Sequence, residues 1–171
     1  MHAGSMVPAK GLEQQVLQSA QLQSLQHLLL ERELRHALVA YALLCDGRDW
    51  TLADRVFSED ASATYGGHLL PDRTAILAML RRHLGGCGPT QHLLGNLQVW
   101  VDGQGQVTSR TEVRASHRGA GARQDLTYDC MGHYADRWTH TPHGWRIAHR
   151  TMTVALEFGS RAVLAAEPEL N

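Results

Sequence analysis

The 171-residue chain contains 11 histidines, and histidine is the side chain whose charge changes nearest neutral pH, suited to both proton transfer and metal binding. Metal binding asks for a recognisable ligand spacing. The closest pair, His140 and His143 in "THTPHGW", flanks Pro142 ahead of Gly144. That is the pattern of a hairpin turn with solvated imidazoles, so no metal is expected. Proton transfer asks instead for imidazoles turned inward, and strand alternation tests this because successive residues face opposite sides. In "QVTSRTEVRASHR", Val107, Ser109, Thr111, Val113, Ala115 and His117 share one face, while Arg110, Glu112, Arg114 and Arg118 share the other. His117 therefore lies on the face that avoids charge. In "GWRIAHRTM" the same alternation groups His149 with Trp145 and Ile147 and sends Arg150 outward with Arg146. His92, in "TQHLLGN", has apolar neighbours on both faces, so its direction stays open. Each of these has an ordinary alternative as a core histidine satisfied by a hydrogen bond, and Tyr65 as a core tyrosine bonded at the rim.

Asp46, in "LLCDGRDW", is harder to explain away. Asp49 sits where a helix start wants a side-chain oxygen. Asp46 instead ends an apolar helical run, where the macrodipole is already negative and another negative charge is disfavoured.

The elements that would position these side chains can be read from periodicity. Residues 1–11 show turn residues without periodicity and are left outside the fold. A short helix is expected over Leu12 to about Gln23, with no evident docking surface. A clearer one follows, with Leu30, Leu34, Ala37, Leu38, Tyr41 and Cys45 recurring at three and four residues and a left-handed stop at Gly47. A second helix is expected from Trp50 to about Phe57, then a short strand in "EDASATYGG". A third helix begins at Asp72 with a stripe of Ile76, Leu77, Leu80 and Leu84. Four strands follow at roughly 91 to 101, 106 to 118, 124 to 140 and 145 to 158. Helices followed by an antiparallel meander describe an α+β domain whose sheet must curl over the helices to bury its inner face. Such a curl leaves a pocket.

The totals exclude several functions. Sixteen basic against 17 acidic residues leave no charge field for nucleic acid or an anionic membrane. No apolar run approaches a membrane span, and no secretory signal is evident; the chain is expected to be cytoplasmic. Cys45, Cys87 and Cys130 are widely spaced, which predicts free thiols.

Taken in order, "CDGRDW", "FSEDASATYGG", "PTQHLLGN", "VRASHRG", "GHYADRW" and "GWRIAHR" resemble the SnoaL-like group of the nuclear-transport-factor-like superfamily, and within it the scytalone dehydratase and bile-acid dehydratase branch. The resemblance covers residues 25 to 158, leaving 1–24 as an extension and 159–171 as a tail. It implies a cone-shaped, cystatin-like α+β barrel: a strongly curved, largely antiparallel sheet wrapped around N-terminal helices, with a ligand cavity at one end. By motif position, Asp46, His92, His117 and Tyr65 take the places of the acid, two histidines and a tyrosine of the dehydratase pocket. Tyr41, Trp50, Asn96, Tyr134 and His149 are expected to contact substrate. The departure is Cys45, where the scytalone enzyme has a second tyrosine. A carboxylate lining a cavity is tolerable if an adjacent imidazole offsets its charge, so Asp46 is expected to line the pocket and support His92.

These expectations converge on a cofactor-independent acid–base enzyme, a hydro-lyase for a small apolar carbonyl or hydroxyl compound. The same pocket would also suit a double-bond isomerase or a polyketide cyclase. A non-catalytic ligand carrier or dioxygenase small subunit is the alternative from another class. The resemblance further implies a homo-oligomer, with a trimer favoured over a dimer.

Overall fold

The computed structural model describes residues 9–164. The chain divides into two compact units, residues 1–33 and 34–171. Residues 9–33 are helical, the first part of α1 (Ala9–Gly47), and carry exposed Val16, Leu17, Leu22, Leu25, Leu28 and Leu29. The expected break after Gln23 is absent, and the helix already includes Ala9 to Gly11. The reason is local: "SLQHLLLER" holds neither Gly nor Pro, and its residues all tolerate helix.

In the second unit, residues 34–47 of α1 bury Leu34, Ala37, Leu38, Tyr41 and Cys45, all from the stripe read in the sequence, and Leu44, which was not part of it. The expected helix from Trp50 to Phe57 is a 3-10 turn, Trp50–Leu52, followed by a single helical turn, α2 (Ala53–Val56). Asp49 starts it as foreseen, accepting from the Thr51 N–H at 3.2 Å. Phe57 already belongs to β1 (Phe57–Tyr65). Gly66 and Gly67, both at positive φ, turn the chain into β2 (His68–Leu70), a strand not foreseen. Next comes α3 (Arg73–Gly85), its first turn capped by Asp72 on the Ala75 N–H at 2.7 Å.

The meander is β3 (Cys87–Val101), β4 (Val107–Gly119), β5 (Thr127–Thr141) and β6 (Gly144–Gly159). Against the expected strands, β3 starts four residues earlier, β4 is shifted by one residue, β5 starts three residues later and ends one later, and β6 is one residue longer at each end. The six strands form one curved, open sheet in the order β2-β1-β6-β5-β4-β3, with β1 parallel to β6 and the other pairs antiparallel. A 3-10 turn, Arg161–Leu164, follows β6 and buries Val163 completely. No helix among the described residues is long and apolar enough to cross a membrane.

Alternation holds along β4, whose residues from Val107 to Gly119 are buried at every second position, His117 among them. It fails in β6. The β5–β6 register slips between Arg137 and Trp138, and one extra residue in a bulge flips every side chain beyond it. Arg150, expected outward, is fully buried. His149, expected inward, instead pairs with Ser62 Oγ of β1 at 2.8 Å.

Candidate active site

The floor of the sheet's concave side is set by two strands. The β3–β4 register pairs Thr90 with His117 and His92 with Ala115, so His92 and His117 share the inner face one step apart, their rings 5.7 Å from centre to centre and nearly perpendicular. Both line a cavity of about 400 Å³ together with Tyr41, Tyr65, Tyr128 and Tyr134.

Each imidazole is held by its outward nitrogen. His92 Nδ1 donates to Asp46 Oδ1 at 2.7 Å, and its backbone N–H donates to Asp46 Oδ2 at 2.8 Å. Thr90 Oγ1 adds a third donor to Oδ1 at 2.9 Å. Burial opposes ionisation of Asp46, but the His92 and Thr90 hydrogen bonds outweigh it and hold the carboxyl below its ordinary range. An ionised acceptor fixes a proton on His92 Nδ1, so that in the neutral form of the ring Nε2 carries the lone pair. The same logic fixes His117, whose Nδ1 donates to the Tyr128 carbonyl at 3.0 Å. Burial pushes the His117 imidazole below its ordinary value, partly offset by that carbonyl, and nearby His92 and Arg48 push the same way. His117 is therefore neutral near pH 7. Neither Nε2 has a protein partner among the described residues.

Asp46 does not line this cavity. It faces a separate groove between α1 and β3, with Leu43, Gln91 and Leu93, and reaches the cavity through His92 alone. That corrects the expectation of a carboxylate exposed to the guest. Its side chain is 25% exposed, against 6% for His92, so part of its desolvation cost is avoided.

The adjoining wall is phenolic, with the Tyr41 ring edge-on to His92 at 6.1 Å. Tyr41 Oη lies 3.2 Å from Tyr65 Oη and accepts from Tyr134 Oη at 3.4 Å. Burial pushes all three phenols upward, so they stay protonated donors. Cys45 stands one helical turn from Tyr41, its thiol pushed up to about 12 by burial. Tyr41 thus supplies a phenol on the helix face where Cys45 replaces one. Behind these rings, Arg150 stacks 4.3 Å from the Tyr41 centroid and 4.0 Å from that of Tyr134, with a two-bond ion pair to Asp136 at 2.7 and 2.8 Å.

Three of the expected substrate contacts lie elsewhere. Trp50 is half-buried beneath the Arg81 guanidinium. Asn96 sits exposed at positive φ beside the β3 irregularity. His149 is turned away by the β6 bulge. Sequence reasoning missed Thr90, Arg150, Asp136 and Arg48. Thr90 had a readable signal, since it stands two residues before His92 on one strand and must share its face.

Arg48, not Gly47, is the left-handed residue that ends α1, with φ 56. A non-glycine residue there costs roughly 1 kcal/mol. Its guanidinium offsets this by donating to the Cys45 carbonyl, to Leu84 O and Gly88 O at 3.2 Å each, and to Thr90 Oγ1 at 2.9 Å. Arg48 thereby ties the end of α1 to the strand that carries His92. Urea denaturation of Arg48→Ala should show a loss of about 2 kcal/mol, and Arg48→Gly a loss smaller by about 1 kcal/mol because the backbone strain is relieved. Equal losses would show that the conformation carries no strain.

An open curved α+β sheet with an Asp–His pair behind its concave face defines the class, and comparison with known proteins gives the family. Residues 26–151 match the SnoaL-like domain, and the chain belongs to that family. It is 35% identical over 123 residues to the uncharacterised protein Rv2910c of Mycobacterium tuberculosis, covering 71% of this chain and 82% of that one. Among solved structures, a scytalone dehydratase candidate from Novosphingobium aromaticivorans superposes with a TM-score of 0.70 at 20% identity, covering 85% of this chain and 97% of that one. The hexachlorocyclohexane dehydrochlorinase LinA-type3 from Novosphingobium barchaimii gives 0.64 at 12% identity, with 86% and 99% covered. At these identities the structural likenesses establish the fold.

Proposed function

We propose that this chain is a lyase that removes water from a small, largely apolar hydroxy-carbonyl compound by acid–base chemistry, without a metal or organic cofactor. The observation that carries the proposal is the pairing of His92 with Asp46, which turns the His92 Nε2 toward a cavity that also bears phenol donors. The names of two structural neighbours support an elimination, because loss of water and loss of hydrogen chloride can both begin with removal of a proton beside the leaving group.

In this reading His92 Nε2 takes the proton α to the carbonyl, and Asp46 offsets the positive charge that arrives on the ring. The Tyr65 phenol, bonded to Tyr41, donates to the carbonyl oxygen as enolate charge develops. His117 accepts from the substrate hydroxyl through its own Nε2. Because both resting imidazoles point lone pairs inward, the proton given to the departing hydroxyl is the one just taken from carbon. The C–O bond then breaks, a C=C bond forms, and water leaves.

The test is incubation of purified protein with a panel of cyclic β-hydroxyketones, read by mass spectrometry. Loss of the mass of one water is the expected result. A product of unchanged mass with a shifted double bond would assign isomerisation instead, and a ligand bound but unaltered would assign a carrier. Once a substrate is found, Asp46→Asn should lower kcat by about a hundredfold with KM little changed, since it alters the orientation and charge balance of His92 and not the cavity wall. A variant with normal kcat would remove Asp46 from the reaction.

A further inference from the structure

We propose that the mouth of the cavity binds an anionic group, a carboxylate or a phosphoryl, carried at the end of the ligand away from the reacting carbon. This rests on reading the cavity as a substrate site. The lining changes character with depth. Tyr41, Tyr134 and His117 are buried, whereas Gly66, His68, Arg82 and Arg161 are exposed and mark where the cavity meets solvent. Apolar side chains, including Met79, Leu80 and Met152, complete the wall.

Every formally charged residue in the described lining is an arginine. Arg82 comes from the last turn of α3 and has no ion-pair partner among the described residues. Arg161 comes from the 3-10 turn after β6, a separate element, and converges on the same opening. Glu157, outside the lining, bridges Arg161 and the Tyr128 hydroxyl. That contact fixes the guanidinium while leaving most of its five N–H donors for a guest. His68 and His83 add further imidazoles at the mouth.

A basic residue in the last turn of a helix also answers the helix dipole, which accounts for Arg82 and His83 on α3. It does not account for Arg161 arriving from another element. A cleft lined by one sign of charge with apolar walls focuses potential toward its opening, and guanidinium forks match carboxylate and phosphoryl oxygens. The ligand that uses the whole lining has an apolar body, a reacting carbonyl at the histidine end and an anion at the other.

The test is fluorescence titration of the full-length protein at low salt with naphthaleneethanol, naphthylacetate and naphthyl phosphate, which share a ring and differ in the terminal group. At least one anion should bind about tenfold more tightly than the alcohol, and the tighter of the two names the anion. Arg82→Gln should reduce that preference, and adding Arg161→Gln should bring it within about twofold while leaving the alcohol's affinity unchanged. Arg82 is exposed and unpaired, so its variant keeps the test intact if loss of Arg161 disturbs Tyr128. Filling the cavity from a buried lining position with Ala115→Trp should abolish binding of all three ligands. The proposal is overturned if the alcohol binds as well as both anions, if the preference survives in the double variant, or if the anions still bind the filled cavity. Turnover is not needed for this measurement. A retained anion preference without any elimination would sink the lyase reading alone, and elimination with no anion preference would sink this one alone.

Discussion

Replacing His92 by glutamine is expected to reduce kcat/KM about a hundred- to ten-thousand-fold, the range general base catalysis contributes. Glutamine keeps a donor able to face Asp46, so the fold should survive, but it has no lone pair of useful basicity for the cavity. The effect should exceed that of Asp46→Asn, because Asp46 acts only through His92 and never touches the guest. It should also fall on kcat, since proton removal belongs to the transition state and not to ground-state binding. Steady-state kinetics with circular dichroism as a folding control checks this. Rates of His92→Gln within threefold of the parent, an order-of-magnitude margin far inside the expected range, would mean that some other group removes the proton.

The second large effect concerns stability. Asp136→Ala should destabilise the protein by about 3–5 kcal/mol, the usual cost of removing one partner from a buried ion pair. Both side chains of the Arg150–Asp136 pair are 0% exposed, so the remaining guanidinium would sit uncompensated between the Tyr41 and Tyr134 rings. Its Nη1 already lacks a protein partner, so the site has no spare acceptor to take over. Against a typical domain stability of roughly 5–15 kcal/mol this loss is decisive. The double substitution Asp136→Leu with Arg150→Met should recover much of it, because removing both charges leaves none to desolvate. Urea melts of the three variants decide the matter; a double variant no more stable than Asp136→Ala would show that the pair's hydrogen-bond geometry matters more than its charge.

Stability should also depend on pH in two separate windows. The His117 value is depressed from an ordinary 6.5 by burial, so between that value and the folded one the unfolded chain binds more protons. Stability from this group is therefore complete above about pH 6.5 and falls as the solution is acidified through that window. Asp46 acts lower. Its carboxyl is depressed from an ordinary 3.8 despite its burial, by the His92 and Thr90 hydrogen bonds, so its contribution is present above that value and lost as pH falls through the folded one. His117→Gln should flatten the upper step and leave the lower one, as urea midpoints measured across pH would show.

Much of this was legible in the sequence, and the particular failures have physical causes. The order of helices and meander followed from periodicity, and the inward face of His117 followed from strand alternation, because β4 runs its full length without a bulge. His149 and Arg150 were exchanged between faces because β6 carries a bulge that no local composition announces. The sequence divides α1 into a short Gln-rich helix and a clearer periodic one, although nothing between them breaks a helix. Arg48 is not legible as the left-handed residue because the glycine beside it is by itself a sufficient helix stop. Asp46 was recognisable as a residue out of place, but only tertiary packing could show that it meets His92 from outside the cavity.

The account rests on His92 drawing a proton from carbon, and hydrogen exchange isolates that step. An analogue of the identified substrate that lacks the leaving hydroxyl cannot eliminate, so proton removal alone is observed when it is incubated with the protein in deuterium oxide and followed by proton NMR. The wild-type protein should wash out the α-proton signal while His92→Gln leaves it intact. Exchange at the same rate in both proteins, or in neither, would contradict the assignment of His92 as the base.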